Sequence, residues 1–165
     1  MDNAVRLRNY IEEDEERILE LNEIFVEDLS PMDAARFSDL RAICAYLRVA
    51  ERNGEVAGFI LAFTAACPYD SPNFRWFCDN LHNFLYIDRI VISSDCQGLG
   101  IGQKFYNAAR EWAISHSIEN LAAEINVLPP NAGSLRFHEK MGFVEMAQKP
   151  FGEGKMVSLQ KLPIS

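Results

Sequence analysis

Long apolar runs are missing from this sequence. None approaches the roughly 20 residues that cross a bilayer, so no membrane partner is expected. Histidine and cysteine are sparse and scattered. Cys44, Cys67, Cys78 and Cys96 form no C-x-x-C pair and stand near no histidine pair. That spacing excludes the usual zinc arrangements and predicts no metal and no disulfide framework. Cations are outnumbered, 16 Lys and Arg against 24 Asp and Glu, for a net charge of −8 with no basic stripe. Phosphate-driven nucleic-acid binding is therefore not expected, and an amine-bearing substrate suits the charge better. The amino-terminal stretch MDNAVRLRNYIEEDEER has no apolar core of a signal peptide, so the expected location is cytoplasmic.

What is present is a globular composition. The chain has 165 residues, 48% of them apolar, with 11 phenylalanines. That length predicts a single domain over residues 1–165 with a sizeable core. No internal repeat, linker or low-complexity tract interrupts it.

Periodicity gives the element order. Residues 4–10 alternate and predict a strand. Ile18, Leu21, Phe25 and Leu29 recur at helical spacing behind the acidic run Glu12–Glu16, which suits the positive end of a helix dipole. This helix is expected to last until Ser30-Pro31, with a second over 32–44. Strands at 46–51 and 55–66 flank Asn53-Gly54, a hairpin signal. The stretch CPYDSPNFRWFCDNLHN is a long connection, of the kind that is functional or hides a short helix. A strand over 84–93 leads into a glycine cluster. A helix from about Gly100 to Ser115 follows, with Ile101, Phe105, Ala109 and Trp112 as its buried stripe. Residues 121–127 form the next strand, and Asn131 opens a helix that Gly142 ends. Two antiparallel strands close the chain. The fold class is a mixed α/β or α+β arrangement of about seven strands and four helices.

Glycine is the residue in question at 98–102, where three occur in five positions. Each ordered glycine costs backbone entropy, so a cluster needs a reason. Amides at a helix start have no intrahelical acceptor and carry the positive dipole end. Freed of side chains, they can converge on a phosphate. A tight strand-to-helix turn is the alternative. Neither the dinucleotide fingerprint nor a P-loop fits: Gln103 stands where the third glycine would be, and no Gly-Lys-Ser/Thr follows.

Gln97-Gly98-Leu99-Gly100-Ile101-Gly102 does fit Q-x-x-G-x-G. That pattern resembles the pyrophosphate loop of the GNAT-type (general-control-related) N-acetyltransferases. The segment NAGSLRFHEKMGF at 131–143 is similar to the same family's second signature, and the order and spacing of the two agree. The resemblance implies a GNAT-like fold, splayed between the fourth and fifth strands, with acetyl-CoA as co-substrate. The pantetheine arm would then meet the backbone of Ile90, Val91 and Ile92. The diphosphate would meet Gln97, Gly98, Leu99, Gly100, Ile101, Gly102 and Gln103. Asn131 and Ser134 belong to the second signature, Asn131 both capping its helix and binding cofactor.

Transfer of an acetyl group needs a neutral amine, a stabilised oxyanion and a proton for the leaving thiolate. The oxyanion is assigned to a backbone N–H near Ile92. The family places tyrosine where this chain has His138, although phosphinothricin-type branches resemble it in having histidine. His138 protonates the thiolate, hydrogen-bonds it or lines the pocket. The base is Asp88 or Glu124. Asp88 is otherwise a structural partner of Arg89 or Arg136. Tyr69, Asp70, Phe74, Trp76 and Phe77 either wall an acceptor site or cover the core. The implied function is N-acetyl transfer to a small-molecule or peptide amine in a ternary complex. The alternative is a non-catalytic acyl-CoA-binding module. Dimerisation is common in the family, so a homodimer is a further expectation.

Overall fold

The computed structural model describes residues 4–164. It contains a seven-stranded, mostly antiparallel sheet and five helices among the described residues. The strands are β1 (Val5–Asn9), β2 (Tyr46–Arg52), β3 (Glu55–Thr64), β4 (Phe84–Ile92), β5 (Asn120–Leu128), β6 (Val144–Pro150) and β7 (Met156–Pro163). The helices are α1 (Glu15–Ile24), α2 (Ala34–Ile43), α3 (Pro72–Asn80), α4 (Ile101–Ser115) and α5 (Ala132–Met141). Sheet order is β1-β2-β3-β4-β5-β7-β6, with β4 and β5 parallel.

Contacts divide the chain into two compact units. The first comprises residues through Phe63 with Asp88–Ala109, the second Thr64–Ile87 with residues from Arg110 on.

In the first unit, Asn53 (φ 55) and Gly54 (φ 77) both take left-handed backbone. That is the turn a two-residue hairpin requires, and β2 pairs with β3 accordingly. α1 is shorter than its periodicity predicts. It stops at Ile24, and Val26–Asp28 forms a 3₁₀ turn. Tertiary bonds supply the reason. Asn22 Nδ2 donates to Ser30 O at 3.1 Å, and Arg89 Nη1 donates to both Asn22 Oδ1 and Ser30 O. These bonds fold the chain after α1 back onto it. Gly58, in the middle of β3, allows a close approach: a Cβ there would stand 2.5 Å from Val91 O. Ile101, Phe105 and Ala109 of α4 are buried as expected.

In the second unit, the long connection holds α3, the helix beyond the four expected. Ser71 Oγ accepts from the Phe74 amide and Pro72 occupies the first turn, the serine-cap and proline start favoured at helix amino termini. Phe74 and Phe77 face inward, with ring centroids 5.8 and 6.0 Å from Phe84 and 5.7 Å from Tyr86. In the last turns of α4 the buried residue is Ala113, while Trp112 is half-buried and stacks on His116 at 4.0 Å. Gly142 ends α5 with φ 102.

Candidate active site

The glycine loop belongs to the first unit. Gly98 (φ 83) and Gly100 (φ 79) are both left-handed, and a Cβ on either would meet nothing within 4 Å. Packing therefore does not require these glycines; backbone conformation does. Residues 97–100 are exposed. The Lys104 amide donates to Gly100 O at 3.0 Å. The amides of Ile101, Gly102 and Gln103 precede it in the first turn, where no helical carbonyl is in reach. A left-handed pair leading into a helix start turns successive N–H groups toward one side, an anion-binding concavity. The donor set fits a diphosphate.

The loop is tied back to its strand. Gln97 Nε2 donates to Ile92 O at 3.4 Å, and the Ser93 amide donates to Ala57 O at 2.8 Å. β4 pairs with β5 only from Phe84↔Asn120 to Ile87↔Ala123. Asp88 and Arg89 are both nearly buried, their side chains 6% and 3% exposed, with Nε 2.8 Å from Oδ2. Of the two expected structural partners of Asp88, Arg89 makes this ion pair.

The second unit brings two groups of candidates into definite settings. Glu124 on β5 is half-buried; its Oε1 accepts from Tyr86 Oη at 2.8 Å and its Oε2 from Asn73 Nδ2. Asn73 lies on α3 and is 2% exposed. The surrounding Tyr69, Phe74 and Phe77 are buried against one another and against Tyr86. They cover the core, while Asp70 is exposed.

On α5, Asn131 Oδ1 accepts from the Ser134 amide at 3.3 Å. His138 is 5% exposed, packed against the rings of Phe137 and Phe143. Its Nδ1 stands 2.7 Å from Ser134 O. A carbonyl only accepts, so Nδ1 carries the proton, and in the neutral ring Nε2 is an acceptor. Burial holds the imidazole below its ordinary pKa, although the Ser134 carbonyl pulls the other way. At neutral pH the ring is therefore uncharged and has no proton to give from Nε2.

Gly58 and Asn73 were not evident as site residues from the sequence. A glycine inside a strand is a known signal of close backbone approach. Asn73 becomes meaningful only once α3 is seen as a helix.

The sequence pattern of the GNAT acetyltransferase family matches residues 8–143. The chain belongs to the GNAT acetyltransferase family. Solved structures with the same fold include Ard1 from Thermoplasma volcanium (16% identity, TM-score 0.80, covering 98% of this chain and 99% of that one). Another is the ribosomal-protein-S18-alanine N-acetyltransferase from Escherichia coli (16%, 0.69, 98% and 95%). A third is yncA from Salmonella typhimurium with its cofactor acetyl-CoA (20%, 0.72, 98% and 95%). No curated protein matches the sequence. As a GNAT member the chain has the fold that holds acetyl-CoA in that third structure. Among the described residues, no group of three or more His, Cys, Asp or Glu could hold a metal ion, and no helix is long and apolar enough to cross a membrane.

Proposed function

We propose that this GNAT protein is an acetyl-CoA-dependent N-acetyltransferase that acts on a primary amine by direct attack in a ternary complex. The observation that carries this reading is the loop: left-handed Gly98 and Gly100, open outward, immediately before the acceptor-free first turn of α4. Acetyl-CoA would be held there by the amides of residues 98–103, with its arm along Ile90–Ile92. Bound, it supplies an activated thioester carbonyl.

The remaining work falls to side chains. An alkylammonium, with pKa near 10.4, must lose a proton before it attacks. Glu124 is the group we assign to receive it, directly or through water. Its carboxylate is fixed by two neutral donors, Tyr86 and Asn73, beside an aromatic cluster. Asp88 is the weaker choice, because its Oδ2 already accepts from Arg89 Nε at 2.8 Å. Asn131 caps α5 by accepting from the Ser134 amide, which leaves the preceding first-turn amides as the donors there. His138 Nε2 could give a proton to the leaving thiolate only after the ring itself had been protonated; beside the neutral ring the thiolate leaves as the anion and takes its proton from water.

That last point favours one other reading, an acyl-CoA-binding module that transfers nothing. Two measurements separate them. Acetyl-CoA at a hundredfold excess over its Kd should raise the melting temperature by about 5–10 °C, and Gly100→Glu should abolish the rise. Thiol release against a panel of amines should then show turnover that Glu124→Gln lowers by about 10²–10⁴-fold with cofactor binding retained. An unchanged melting curve at millimolar acetyl-CoA contradicts cofactor binding. Binding without thiol release from any amine supports the module.

A further inference from the structure

A second concave feature lies wholly within the first unit, away from the glycine loop. It is a recess of about 420 Å³ lined by the end of β1, the last turn of α2 and the start of β2. Its polar lining includes Asn9, Tyr10, Arg41, Cys44 and Arg48. Arg52, at the far end of β2, reaches Cys96 Sγ at 3.8 Å in the turn that leads to the loop. Four residue steps of strand separate Arg48, the lining residue nearest that end, from Arg52, about 13 Å at ~3.3 Å per residue. The recess is thus distinct from the loop.

Two of the chain's eleven arginines, Arg41 and Arg48, line it. Arg41 lies over the rings of Tyr10 and Phe37, at 5.0 and 5.1 Å from their centroids. Arg41 Nε is buried with no hydrogen-bond partner. Arg48 lies over Tyr46 at 4.4 Å, and its Nη1 donates to Leu47 O. Neither is within 4.0 Å of a carboxylate among the described residues, whereas Arg6, Arg8, Arg17 and Arg89 all are. Ring stacking uses the face of a guanidinium and leaves its in-plane donors for an acceptor. β-register adds a third donor: Asn9 is directly opposite Arg48, so their side chains share a face. Tyr10 contributes a phenol whose pKa burial raises, with Arg41 opposing. It remains a neutral O–H at physiological pH.

We propose that this recess binds a small oxyanion, a carboxylate or phosphate group, between the donor edges of Arg41 and Arg48 with Asn9 and Tyr10 beside them. Such an anion would be recognised bidentately, against the repulsion of the net charge of −8. The site is independent of the acetyl-transfer reading.

The test uses the whole chain, titrated separately with citrate and with inorganic phosphate, with sodium chloride balancing ionic strength. The expected result is a melting-temperature rise of several degrees beyond the salt control at low millimolar anion. Arg48→Gln should weaken binding at least tenfold, and Arg41→Gln likewise where that variant folds. Gly100→Glu should leave it intact, which separates the recess from the glycine loop. Stronger binding of citrate assigns a carboxylate, and stronger binding of phosphate assigns a phosphate. A directly observed shift of the Arg41 and Arg48 Nε–Hε resonances should accompany either. No effect beyond salt from either anion overturns the proposal. So does an effect that Gly100→Glu removes and Arg48→Gln leaves unchanged.

Discussion

Asp14 is only 3% exposed, yet it is held as an anion. Burial pushes its carboxyl up, but Arg8 meets both oxygens, at 2.8 and 2.9 Å, and the Ile11 amide adds a third bond. Together they hold the group below its ordinary value. The folded carboxyl thus binds its proton more weakly than the unfolded one. The stabilisation is complete above about pH 4, the unfolded value, and is lost as pH falls through the depressed folded value. Asp14→Asn should cost about 1–3 kcal/mol at pH 7 in urea unfolding and flatten the acid limb. His138 is also depressed, by burial. Its contribution is therefore present above about pH 6.5 and lost as pH falls through the lower folded value. Nitrogen-detected NMR should find the Nδ1–H tautomer and a midpoint below 6.5. An Nε2–H tautomer, or a midpoint above 6.5, would remove the argument against its acid role.

At the scale of elements, Gly58 links β3 to the backbone that the cofactor reading needs. A methyl group there would sit 2.5 Å from Val91 O and 3.3 Å from Ile92 Cα. β4 would have to shift. Gly58→Ala should cost about 1–3 kcal/mol of stability and weaken acetyl-CoA binding, both read from melting curves with and without cofactor. A stable variant with unchanged affinity would show that this stretch of β4 is not a positioning element. Local chemistry made some elements readable from sequence. Asn53-Gly54 announced its hairpin because few other pairs accept two left-handed residues, and Gly142 ended α5 for the same reason. α3 was harder. Pro68 and Pro72 argue for a loop, and only the cap at Ser71 turns Pro72 into a helix start. The early end of α1 could not be read locally, since bonds from Arg89, 67 residues beyond Asn22, determine it.

At the scale of the molecule, the family was readable because its signature needs particular backbone conformations. Gly98 and Gly100 are fixed by φ, which sequence displays directly as glycine. Glu124 was readable as a candidate but its setting was not: Tyr86 and Asn73 come from a different strand and a helix, and no spacing rule joins them. The division into two compact units was likewise invisible, because it follows spatial contacts rather than composition. His138 shows the limit from the other side. The histidine was plain in the sequence, but its tautomer depends on Ser134 O.

The most direct measurement is amide NMR of residues 98–103 during titration with coenzyme A. If first-turn N–H groups hold the diphosphate, the resonances of Gly98 through Gln103 should move downfield, more than any others, and become protected from hydrogen exchange at saturation. Saturable binding with those six resonances unmoved would contradict the account.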